Sequence, residues 1–156
     1  MPDRLSRRRF LATAMAFGAA AAAPAHAAAP AIHVVKDPNC GCCTAWINIL
    51  RAEGFTVTTE HAGQEALYRF KRLSGIPADM ASCHTARIGG YAIEGHVPAA
   101  DIRRLLEMRP DAVGLAVPGM PYGSPGMGPE SAREAYEVYL INRDGSAELF
   151  SRYEAA

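Results

Sequence analysis

The residues best equipped for chemistry in this chain are its four cysteines, and they fall in two places. Cys40-Gly41-Cys42-Cys43 packs three sulfurs into one turn; Cys83 stands far downstream and is followed at once by His84. A thiolate is both the nucleophile of disulfide exchange and a soft metal ligand, so three chemistries compete. Two structural disulfides are one, but adjacent Cys42 and Cys43 suit them poorly, and a domain of this size can bury enough core to fold without staples. A thiol–disulfide oxidoreductase is the second, with Cys40 as nucleophile and Cys43 as resolving thiol at C-x-x-C spacing. Against it, Cys42 is surplus to a dithiol, and Ser82-Cys83-His84 stands where thioredoxin-like oxidoreductases carry a cis-proline. The third is a metal site. Four thiolates from two loops form a soft set suited to Cu(I), Zn(II) or an iron–sulfur cluster, and neighbouring sulfurs favour bridging, which suits a polynuclear Cu(I)–thiolate centre; the spacing points to metal more strongly than to copper. Structural zinc usually spaces its cysteines more widely, and ferredoxin spacings are missing.

Other donors surround this set in sequence. His84 is read as either a ligand or a donor to a sulfur, against a loop histidine bonded to backbone. His96 precedes a helix and either caps it or lines the site. Met120 and Met127 offer thioethers to Cu(I), or anchor a long loop on the core. His33 reads as a half-buried strand residue, His61 as part of a solvated turn, and Trp46 as core or packing beside the sulfurs.

The elements that must position these groups follow from periodicity. Ile32 to Val35 is a short β-branched run ended by Asp37-Pro38-Asn39. Cys43 to Glu53 turns helical, with Trp46 and Leu50 on one face and Gly54 after the last turn. Phe55 to Thr59 alternates as a second strand. Gln64 to Leu73 is a second helix with Leu67, Phe70 and Leu73 on its apolar side. Thr85 to Ile88 and Tyr91 to Glu94 flank Gly89-Gly90, a hairpin signal. Pro98 opens a third helix that buries Ile102, Leu105 and Leu106 and ends before Pro110. The order βαβα, hairpin, α predicts an α/β, thioredoxin-like, three-layer fold. There the two cysteine loops meet at one end of the sheet, with Cys40 at a helix N-terminus that favours thiolate. Leu115 to Pro129 reads as a loop rich in Gly and Pro. Tyr136 to Ile141 and Ala147 to Tyr153 read as a C-terminal β-hairpin added to a sheet edge.

Residues 1–27 read as a twin-arginine signal peptide. Ser6-Arg7-Arg8-Arg9-Phe10-Leu11 is followed by a short alanine-rich apolar run and by Ala25-His26-Ala27, a small-x-small cleavage site. This predicts a periplasmic protein with no stable membrane span once the signal is removed, and leaves 28–156 as a single metal-binding domain. The whole chain of 156 residues is formally neutral, but the leader carries arginines, so the remainder is slightly acidic. That excludes an electrostatic case for nucleic-acid binding.

Four motifs in order carry a resemblance. They are Cys40-Gly41-Cys42-Cys43, Ala81-Ser82-Cys83-His84-Thr85-Ala86, Glu94-Gly95-His96-Val97-Pro98-Ala99, and Val117-Pro118-Gly119-Met120-Pro121 with Gly123-Ser124-Pro125-Gly126-Met127. Together these resemble the CopG-like family of periplasmic copper proteins, long described only as predicted metal-binding proteins. The resemblance spans roughly Ile32 to Tyr153. It implies a thioredoxin-like fold, copper resistance, and a cysteine-bridged copper cluster on Cys40, Cys42, Cys43 and Cys83. It also implies a role in Cu(I)/Cu(II) interconversion; separately, a metal site with a partly exposed edge is expected to pass copper or electrons to other periplasmic copper-resistance proteins. One departure is Gly128-Pro129 after Met127, where the family pattern leads one to expect an acidic residue.

Overall fold

The computed structural model describes residues 30–156, so the signal peptide assigned to 1–27 lies outside the described residues. The chain runs β1 (Ile32–Lys36), α1 (Gly41–Ala52), β2 (Val57–His61), α2 (Gln64–Leu73), β3 (His84–Ile88), β4 (Tyr91–Glu94), α3 (Ala99–Met108), β5 (Ala112–Ala116), β6 (Tyr136–Asn142) and β7 (Ala147–Tyr153). All seven strands join one sheet in the order β2-β1-β3-β4-β5-β6-β7. β1 pairs parallel with β2 and antiparallel with β3, and β3 and β4 form the expected hairpin. This is a mixed α/β fold. Among the described residues no helix is long and apolar enough to cross a membrane.

Alternation along the strands sorts the helices onto two faces. On one, Ile32, Val34, Ala86, Ile88 and Leu115 pack with Trp46, Ile47 and Leu50 of α1 and Ile102 and Leu105 of α3. On the other, Val35 and Ala62 meet Leu67 of α2. Two helices thus cover one side and one covers the other, giving the three layers expected.

The structure corrects the sequence reading in three places. β2 begins two residues later than expected, at Val57, and runs to His61. The apolar side of α2 keeps Leu67 and Phe70 but loses Leu73, which is 74 % exposed, while Lys71, one turn from Leu67, is buried. Most consequentially, the expected loop from Leu115 begins inside a strand. β5 lies parallel to β4 and antiparallel to β6, and through it the C-terminal hairpin extends the sheet. Ala112-Val113-Gly114-Leu115-Ala116 lacks the β-branched richness that marks strands, which hid it. Gly114 is required there, because a Cβ would fall 1.8 Å from the Ala92 carbonyl oxygen of the neighbouring strand.

Candidate metal centre

β1 ends in a turn that delivers Cys40 to the N-cap position of α1, where its sulfur accepts the Cys43 N–H at 3.3 Å. The sulfurs of Cys40, Cys42, Cys43 and Cys83 all lie within 4.8 Å of one another. Cys40 and Cys43 are joined as a disulfide, Cys42 and Cys83 are free thiols, and the Cys40 and Cys42 sulfurs are 3.4 Å apart. The oxidised C-x-x-C pair therefore sits beside two reduced sulfurs, and the pair must be reduced before all four can act as thiolates.

Cys83 is shared with a second group. Its sulfur is 3.3 Å from His84 Nδ1 and 3.1 Å from His96 Nε2, and these three residues also form a potential ligand triad. The His96 Nδ1–H donates to the Pro125 carbonyl at 2.8 Å, which leaves the lone pair of a neutral ring on Nε2, aimed at Cys83. His84 is fully buried, and its Nε2 has no hydrogen-bond partner among the described residues. The His84 ring packs 4.4 Å from that of Trp46 and edge-on at 5.1 Å from that of His96.

Burial sets the electrostatics. It pushes the Cys83 thiol up to about 12, with Cys42 adding to the rise and the Ser82 hydroxyl opposing it. It holds the His84 imidazole well below the usual range, helped by His96, Lys71 and Lys36, and lowers that of His96 against the Pro125 hydrogen bond. Both rings are therefore neutral bases at neutral pH, the form in which histidine ligates metal.

Two buried residues that support the Cys83 segment escaped the sequence reading. Glu94 accepts from Lys71 Nζ at 2.6 Å, from the Thr85 hydroxyl at 2.6 Å and from the Ser82 backbone N–H at 2.6 Å. Burial raises the Glu94 carboxyl while Lys71 and the other donors pull it back. Lys71 follows Leu67 by four residues and so shares its buried side of α2, and Glu94 ends a strand whose last three residues are all buried. A cavity of about 210 Å³ opens beside the sulfurs, with Asp37, Cys40, Leu67, Lys71, Ser82 and Cys83 in its wall.

The long Gly/Pro loop closes over the site through its backbone. Gly119 N–H donates to the Ala81 carbonyl at 3.3 Å, the Ser82 hydroxyl donates to the Gly119 carbonyl, and Pro125 receives His96. Gly126 passes so close to α1 that a Cβ would stand 2.7 Å from Trp46 N and 2.9 Å from the Cys42 carbonyl oxygen. Met120 is exposed and Met127 half-buried. His33 is half-buried at the β1/β2 pairing and within 3.2 Å of Glu60; His61 ends β2 rather than sitting in a turn.

The chain is similar to known proteins in sequence and fold. The profile of a family described as "Protein of unknown function, DUF411" matches residues 80–127. Two solved structures are similar along nearly their whole length. One is "Copper resistance protein copG- Form 1", at 47 % identity and TM-score 0.75, covering 81 % of this chain and 99 % of that one. The other is "Copper resistance protein copG- Form 2", at 49 % identity and TM-score 0.73, covering 80 % of this chain and 98 % of that one. No curated protein matches the sequence.

Proposed function

This chain belongs to the family of the copper resistance protein CopG, and from that premise we propose that it is a periplasmic protein that holds Cu(I) in a polynuclear thiolate cluster and so contributes to copper resistance. Cys40, Cys42, Cys43 and Cys83 supply the sulfurs. His84 and His96 supply nitrogen to the side of the assembly that shares Cys83. The observation that carries the reading is the convergence of four sulfurs within 4.8 Å, with a buried, unpartnered imidazole nitrogen in the adjoining triad. The donor set fits a soft ion: thiolates select Cu(I), and mixed sulfur and imidazole ligation is compatible with either copper oxidation state. On this reading the twin-arginine leader places the domain in the periplasm, and an exposed edge of the site passes copper or electrons to other resistance proteins.

The test is anaerobic titration of the reduced, signal-cleaved protein with Cu(I) against a competing chelator, with metal counted per chain. Several Cu(I) per chain, lost on replacing any one of the four cysteines by alanine, is the expected result. A second reading is favoured by the Cys40–Cys43 disulfide: an exported thiol–disulfide oxidoreductase. Cys83→Ala separates the two. It lowers copper stoichiometry in the first case and leaves disulfide exchange by Cys40 and Cys43 intact in the second.

A further inference from the structure

Lys36 is the last residue of β1 and is only 2 % exposed. Its ammonium donates to the Asp37 carbonyl at 2.8 Å and to the Pro38 carbonyl at 3.4 Å, both in the turn that leads into Cys40. None of the described carboxylates forms an ion pair with it; Asp37 uses its own carboxylate to accept the Asn39 N–H at 2.7 Å. The fold's other buried lysine is treated differently, since Lys71 has Glu94 at 2.6 Å. A buried cation without an anion is costly, and the carbonyl dipoles offset only part of that cost. Lys36 also stands directly opposite His84 in the β1/β3 register. Residues so placed project from the same face of the sheet. The Asp37 carbonyl that takes the Lys36 ammonium also takes the Cys40 N–H at 3.1 Å, so the cation and the first cysteine of the turn share one acceptor.

We propose that Lys36 is the built-in counter-cation of the copper–thiolate assembly. The inference rests on the copper reading above. Four thiolates carry four negative charges, and each Cu(I) returns one positive charge. Any assembly with fewer Cu(I) ions than thiolates is therefore an anion set in a partly buried site. The N-terminus of α1 offers it a partial positive charge, and Lys36 offers a whole one. Lys36 is in this sense a positioning residue that acts through charge.

The experiment compares reduced wild-type protein with Lys36→Gln, Lys36→Met and Lys36→Arg. Cu(I) affinity is measured by competition with a chromophoric chelator, alongside the melting temperature of each metal-free protein. Glutamine can still donate to the turn carbonyls but carries no charge, so Lys36→Gln should bind Cu(I) about tenfold or more weakly, since loss of a charge interaction in a partly buried site is worth at least one decade. Lys36→Arg should bind as wild type does, and the melting temperature of Lys36→Gln should not fall. If Lys36→Met does not fold, Lys36→Gln and Lys36→Arg still decide the matter. Equal Cu(I) affinity in wild type and Lys36→Gln overturns the counter-cation role alone. So does equal weakening by arginine and glutamine, which marks Lys36 as a shape element of the turn. Failure of wild-type protein to bind Cu(I) overturns the copper reading and the counter-cation with it.

Discussion

At the scale of single residues the decisive group is Cys83, because it touches both donor sets and is protonated in the metal-free protein. Its thiol is raised from 9.0 to about 12, chiefly by burial. For a group whose folded value is raised, the stability it contributes is present below the unfolded value and lost as pH rises. Metal-free protein with the Cys40–Cys43 disulfide intact should therefore lose stability between pH 9.0 and about 12, a slope that Cys83→Ser flattens. Copper binding has the opposite dependence. Ligation displaces the proton, so apparent Cu(I) affinity should climb by about tenfold per pH unit for each proton released, as read by chelator competition across neutral pH. The cysteines themselves were legible in the sequence, because the chemistry of sulfur at that spacing is local. The environment of Cys83 was not. His84 stands next to it in the chain and was legible as a candidate partner, but the contact with His96 depends on the β3/β4 pairing, which brings His96 back to within 3.1 Å, and the burial that raises the thiol depends on the whole fold.

At the scale of elements, the Cys83 segment is held by a strand and a helix that meet in one buried ion pair. Glu94 of β4 receives Lys71 of α2 and the amide of Ser82 together. Glu94→Gln removes the charge but keeps an acceptor, leaving Lys71 buried without its partner. Breaking a buried pair in this way costs about 3–5 kcal/mol. Chemical denaturation should show a loss of that size, and Lys71→Met in the same chain should recover part of it. Neither residue was visible beforehand, since the charged Lys71 of a helix and the charged Glu94 at the end of a strand both read as solvated until the sheet face between them is known. Elements with strong local signals fared better. α2 spans the residues its pattern implied, and the Gly89-Gly90 hairpin and the ends of α3 agree as well. β5 failed for the opposite reason. Its alanines and glycine carry little strand preference, and its place is fixed by β4 and β6 on either side.

At the scale of the whole molecule, the sheet separates construction from chemistry. The sulfurs, both buried histidines and the Gly/Pro loop gather around the start of α1, while β5, β6 and β7 extend the sheet away from it. The chain contains a single tryptophan, Trp46, and it is wholly buried in the middle of that gathering. Its indole N–H is fixed to the Val97 carbonyl at 2.9 Å, and its ring lies 4.4 Å from that of His84. The protein thus contains its own light source, one chromophore set against the place where copper is expected to sit. Near-ultraviolet excitation should report loading without any added label, as quenching of Trp46 emission that tracks Cu(I) added and saturates at the measured stoichiometry. Emission indifferent to copper would place the metal elsewhere on the molecule.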